Sequence, residues 1–90
     1  MDEKMRISNA EMKVMNQIWK AEEMVTVPEV LEILKKEGEE WTYPTVATFL
    51  RRLTAKEILG VTKKGNKLCY FPLVSKEQYE KKEAEGFVES

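Results

Sequence analysis

The sequence predicts an α+β, mainly α-helical domain of the winged helix-turn-helix class, with three helices, a β-hairpin wing and the start of a fourth helix. Three observations predict it. Four segments open with the same helix-start grammar; the apolar period changes from helical to strand-like at Leu59; and positive charge concentrates in the third helix and the hairpin after it.

Each helix start has a Ser or Thr at the N-cap, an apolar residue before it and another four positions after it. The cap hydroxyl is expected to satisfy a free backbone N–H, and the two apolar side chains close over the turn as a staple. Ile7-Ser8 with Glu11 and Met12 opens the first helix, which runs to about Lys20 with Met12, Met15, Ile18 and Trp19 at helical spacing. Val25-Thr26 with Glu29 and Val30 opens the second, with Pro28 in the first turn, where its missing N–H costs nothing. This helix is expected to bury Val30, Leu31 and Leu34 and to stop near Gly38, which accepts a positive φ. Trp41-Thr42 with Val46 opens the third, read as residues 43–57. Val74-Ser75 with Gln78 and Tyr79 opens the fourth. In helices 1, 2 and 4 the third residue after the cap is Glu or Gln, which completes a capping box.

On the third helix, Val46, Phe49, Leu50 and Leu53 form one apolar stripe, of which Val46, Leu50 and Leu53 are expected to pack on Met15, Trp19, Val30 and Leu34. Pro44, Thr45, Thr48, Arg51, Arg52 and Ala55 fall on the opposite, exposed side, with no acidic residue among them. A helix entering the major groove needs such a face: little bulk near its N-terminus, hydroxyls, and forked guanidinium groups. The following stretch, residues 59–72, has two short apolar runs around Gly65-Asn66 and reads as a hairpin ended by Pro72. It places Lys63, Lys64 and Lys67 around one turn, as unspecific phosphate contacts. Val25 could add a very short edge strand.

The overall charge of −1 hides a strong asymmetry. Residues 42–76 carry seven Lys/Arg against one Asp/Glu, a net of +6 between acidic flanks of −4 and −3. Phosphate attraction follows the local field, so the central segment matters more than the total. The composition weakens enzyme and metal-site readings: there is no histidine, one aspartate and one cysteine. No cofactor, metal or catalytic residue is expected, and Cys69 is read as packing or half-exposed sheet surface. No apolar run approaches the ~20 residues of a membrane span, and a single cysteine fits a reducing cytoplasm. Two other readings stand beside DNA binding: a winged helix used to meet an acidic partner protein, and an accessory domain of an enzyme.

Three stretches carry a family resemblance. Ile7-Ser8-x-Ala10-Glu11-x-x-Val14-Met15-x-x-Ile18-Trp19 opens it, Trp41-Thr42-x-x-Thr45-Val46-x-Thr48-x-Leu50-x-Arg52-Leu53-x-x-Lys56 is the stronger match, and Tyr70-x-Pro72-Leu73-Val74-Ser75 follows the hairpin. Together they resemble the penicillinase-repressor family, which includes methicillin-resistance repressors and copper-responsive operon repressors. The resemblance implies a transcriptional repressor domain that binds a two-fold TACA…TGTA-type double-stranded operator, with the third helix in the major groove and the wing on the backbone. The expected DNA-binding residues are Thr42, Tyr43, Pro44, Thr45, Thr48, Arg51 and Arg52 on the helix, and Lys63, Lys64 and Lys67 on the wing. The sequence departs from the family pattern at Pro44, Ala47 and Arg51, and at Glu57, where the family usually has glycine after the lysine.

The expected organisation is a flexible N-terminus (1–6), the DNA-binding domain (7–74) and the start of a helix (75–90) leading to a dimerisation region not contained in the chain. The longer protein is then a homodimer and this chain a monomer. Tyr79, Phe87 and Val88 on the last helix have no evident packing partner in the sequence. The paired Cys-x-Cys motifs of the copper branch are absent, and Cys69 alone cannot supply a soft metal site.

Overall fold

The computed structural model describes the backbone of residues 6–89 and the side chains of residues 6–84. The elements are α1 (Asn9–Lys20), α2 (Val27–Lys36), α3 (Tyr43–Ala55), β1 (Leu59–Lys64), β2 (Lys67–Pro72) and α4 (Lys76–Glu89), in the order the sequence predicts. The readings of residues 1–5 as flexible and of the Phe87 and Val88 side chains as unpartnered lie outside the described residues.

The capping boxes form where the sequence writes them. Ser8 N–H donates to Glu11 Oε1 at 2.8 Å while Glu11 N–H donates to Ser8 Oγ at 3.1 Å. Thr26 with Glu29 and Ser75 with Gln78 repeat the exchange. The start of α3 departs from expectation: Thr42 is the N-cap, but its side chain makes no capping hydrogen bond. Its hydroxyl lies instead 3.1 Å from that of Thr45. No Glu or Gln stands at the third position, so nothing completes a reciprocal box.

Helix exits are equally local. After α2, Gly38 takes φ 93°, Gly38 N–H bonds Lys35 C=O and Glu39 N–H bonds Leu34 C=O, the paired bonds of a Schellman turn. The same pair closes α3, from Glu57 N–H to Thr54 C=O and from Ile58 N–H to Leu53 C=O. The helix therefore ends at Ala55, with Lys56 as C-cap, two residues before the expected end. Glu57 carries φ 64°, the left-handed conformation that glycine adopts freely and other residues at a cost. Glu57→Gly is expected to raise stability by about 0.5–1 kcal/mol, after the extra freedom glycine gives the unfolded chain is offset. Urea unfolding would show a higher midpoint at unchanged slope; a lower midpoint would mean that Glu57 holds the turn by a contact of its own.

The core joins all three N-terminal helices to the hairpin. Val14, Met15 and Ile18 of α1, Val30 and Leu34 of α2, and Val46, Leu50 and Leu53 of α3 are each at most 1% exposed. Ile58, Leu59, Val25 and Tyr70 extend the same cluster. Leu31, expected inside, is half-buried, and Val27 takes an interior place. Val25 exchanges both backbone hydrogen bonds with Tyr70, at 3.0 and 2.7 Å, so the expected edge strand is one residue long.

Helix α4 departs from its reading as unpartnered. Tyr79 is 2% exposed and joins the core cluster, with its ring centroid 6.1 Å from that of Trp19. Trp19 Nε1–H in turn donates to Val74 C=O at 3.0 Å, tying the chain just before α4 to α1.

Candidate nucleic-acid interface

The stripe of α3 that packs inward fixes which side chains face out. With Val46, Leu50 and Leu53 at 0% exposure, Thr42, Tyr43, Pro44, Thr45, Arg51 and Arg52 all stand in solvent. Thr48, expected in the same exposed set, is half-buried. Its hydroxyl donates to Pro44 C=O at 2.9 Å and accepts from Arg51 Nη2–H at 3.2 Å. The proton of Thr48 is thus used within the helix, and its oxygen holds the Arg51 guanidinium. Thr48 organises a neighbour more than it presents a donor of its own.

The two arginines are held differently. Arg51 leans back one turn onto Thr48, as side chains on helices do. Arg52 leans back onto Phe49, its guanidinium carbon 5.9 Å from the ring centroid, and Phe49 packs against Trp41 at 5.2 Å. Both guanidinium groups therefore point toward the N-terminal half of α3, where Thr42, Thr45 and Tyr43 also emerge. The aromatic support under Arg52 was not read from the sequence, although Phe49 at i−3 was its signal.

Below this end of the molecule the exit of α3 is anchored by an ion pair that the sequence did not reveal. Lys56 Nζ–H donates to Glu11 Oε1 at 2.7 Å, to Glu11 Oε2 at 2.9 Å and to Arg6 C=O at 2.9 Å. Glu11 is 3% exposed. Burial pushes its carboxyl up, but the hydrogen bonds from Lys56 and Ser8 outweigh that and hold it below the usual carboxylate value. Glu11 caps α1 and anchors α3 with one carboxylate.

The wing lysines are split by the register. The strands are antiparallel with Lys64 opposite Lys67, Lys63 opposite Leu68, and Val61 opposite Tyr70. The turn is only Gly65-Asn66, with Gly65 at φ 63° and no positive φ at Asn66, the pattern of a type II′ hairpin. Since faces alternate along a strand, Lys64 and Lys67 share one face while Lys63 lies on the other with Val61 and Leu68. The three lysines lie around one turn as expected, and the register divides them into a same-face pair and a third on the other face. Like charges directly opposite each other repel, and a phosphate between Lys64 and Lys67 would relieve that. Cys69, on the same strand, is buried.

Among the described residues no group of three or more His, Cys, Asp or Glu could hold a metal ion, and no helix is long and apolar enough to cross a membrane.

A family model described as penicillinase repressor matches residues 7–90. The penicillinase repressor of Bacillus licheniformis is 32% identical over 83 residues, which cover 92% of this chain and 63% of that protein. The chain thus spans less than two thirds of that relative's length. The solution structure of the DNA-binding domain of the repressor BlaI superposes with a TM-score of 0.73 at 34% identity, covering 88% of this chain and 94% of that one. The Bacillus licheniformis BlaI monomeric form in complex with the blaP half-operator gives a TM-score of 0.69 at 34% identity and the same coverages. The Vibrio cholerae ferric uptake regulator, at 16% identity and a TM-score of 0.65 over 79% of this chain and 56% of that one, shares the fold alone. The winged helix-turn-helix expected from the sequence is the fold that these structures share with this chain.

Proposed function

The chain belongs to the penicillinase repressor family, and we propose that it is the operator-binding part of a transcriptional repressor. The observation that carries this reading is the exposed face of α3, where Thr45, Arg51 and Arg52 stand free of acidic neighbours on the helix, backed by a segment of net charge +6. The half-operator complex of a relative at 34% identity supports it.

In this reading α3 lies in the major groove of double-stranded DNA. Arg51, held by Thr48, reaches base edges. Thr42, Tyr43, Pro44 and Thr45 meet the backbone and bases at the N-terminal end of the helix. Arg52, resting on Phe49, serves a phosphate or a base. The wing lies along the backbone with Lys64 and Lys67 clamping one phosphate and Lys63 reaching another. A longer protein binds a TACA…TGTA-type palindrome as a homodimer in the cytoplasm, residues 7–74 forming the reading domain and 75–90 leading toward the dimer region, while this chain alone is a monomer on one half-site. The role is recognition, without catalysis or a cofactor.

An NMR titration tests the docking surface. Adding a TACA-type half-site duplex is expected to shift backbone amides in residues 42–52 and 63–67, with little change in the middle of α1; a scrambled duplex shifts the wing more than α3. Shifts confined to α1 and α2, or none with either duplex, would remove α3 as the reading element.

A further inference from the structure

Only one side chain of α4 in the described residues is buried. Every other residue from Lys76 to Ala84 is exposed, and Tyr79 alone enters the core. The direction in which α4 leaves the domain therefore depends on what grips Tyr79. Its ring packs on Trp19, and its hydroxyl accepts the N–H of Ile7 at 3.3 Å.

The peptide unit that donates this N–H is the one whose carbonyl belongs to Arg6, and that carbonyl accepts from Lys56 Nζ–H at 2.9 Å. A single peptide thus has its N–H on α4 and its C=O on the residue that caps α3. Lys56 is fixed in turn by both oxygens of the buried Glu11 carboxylate. The path from Tyr79 Oη to the end of α3 crosses one peptide and one ammonium group.

We propose that the Arg6–Ile7 peptide is a strap, and that Tyr79 and Lys56 are positioning residues which use it to fix the angle between α4 and α3. Neither residue touches DNA in this role. In the homodimer of the proposed function, where α4 leads toward the second copy, the angle would set how one reading helix is aimed relative to its twofold mate. For its consequence the inference rests on the proposed function, both the DNA-reading role of α3 and the homodimer, but its geometry stands without either.

The test compares wild type with Tyr79→Phe, which keeps the aromatic packing on Trp19 and deletes only the hydroxyl. Amide exchange at Ile7 should become about tenfold faster, the loss of one hydrogen bond's protection. Residual dipolar couplings should show α4 departing from its fixed orientation while α1, α2 and α3 keep theirs. Lys56→Arg should retain the fixed orientation, and Lys56→Gln should loosen it. An unchanged Ile7 amide and an unchanged α4 orientation in Tyr79→Phe would overturn the strap. Affinity for a TACA-type half-site duplex, measured on the same samples, should stay within about twofold of wild type, since one reading helix does not use the angle. Absent binding in wild type as well would sink the DNA reading and leave the strap result standing on the NMR data; a large loss confined to Tyr79→Phe would show that the hydroxyl shapes α3 itself and overturn the positioning role.

Discussion

Replacing Lys56 with methionine is expected to destabilise the domain by about 3 kcal/mol at neutral pH, because it leaves the Glu11 carboxylate buried without its partner. The side chains of Glu11 and Lys56 are 4% and 26% exposed. Lys56 is thus less costly to desolvate than Glu11, and the loss comes mainly from the orphaned acid. A domain of this size has a total stability on the order of 5–15 kcal/mol, so the variant should fold but with a melting temperature roughly 10–20 °C lower.

The pH dependence carries the diagnosis. In wild type the Glu11 pKa lies below its ordinary value of 4.5. The pair's contribution is therefore full above the unfolded-state pKa and is lost as the pH falls through the lower folded one. In Lys56→Met burial is opposed only by the hydrogen bonds from Ser8, so the folded pKa rises from its wild-type position and the folded state takes up its proton at a higher pH than wild type does. The stability gap between the two proteins should then be widest at neutral pH and shrink on acidification toward pH ~4. The double variant Lys56→Met with Glu11→Gln should regain part of the loss, though the capping bond to the Ser8 N–H is weakened with it. Urea unfolding at several pH values checks this. A gap of constant size across the range would mean that the carboxylate of Glu11 is not what Lys56 serves.

What the sequence disclosed and what it hid divide along the range of the interaction. Capping boxes at Ser8, Thr26 and Ser75 involve residues three apart, so the chain spells them out. The outward face of α3 follows from a 100° period, and the burial of Val46, Leu50 and Leu53 confirms it. The Glu11–Lys56 pair spans 45 positions and rests on a glutamate whose capping role already explained it. Tyr79 looked unpartnered because its packing partner, Trp19, lies sixty positions away on α1, and its hydroxyl meets a backbone N–H that no side-chain pattern marks. The faces of the wing lysines were hidden for a different reason. Grouping them by their nearness to the Gly65-Asn66 turn leaves out the strand parity that puts Lys63 and Lys64 on opposite faces. The missing cap at Thr42 was partly visible, since α3 is the one start with no Glu or Gln at the third position. The proposed DNA-binding set rests on the same local signals, with Thr48 now the residue whose hydroxyl holds Arg51.

The largest functional effect is expected at Arg51. Arg51→Ala should reduce affinity for a TACA-type half-site by about 10- to 100-fold, a base contact of 1–3 kcal/mol, while affecting scrambled duplex far less. Thr48→Ala should give a smaller loss of the same kind, and adding it to Arg51→Ala should cost little more, because Thr48 acts through the guanidinium it holds. Lys64→Ala should behave differently. A phosphate contact weakens all duplexes about equally and lowers the slope of log affinity against log salt by roughly one. The most direct measurement of the central claim is therefore the affinity of wild type, Arg51→Ala and Lys64→Ala for half-site and scrambled duplexes across a salt series. Docking through α3 predicts that Arg51→Ala closes the gap between the two duplexes and Lys64→Ala leaves the gap but flattens the salt slope. Specificity lost from Lys64→Ala, with only general affinity lost from Arg51→Ala, would contradict it.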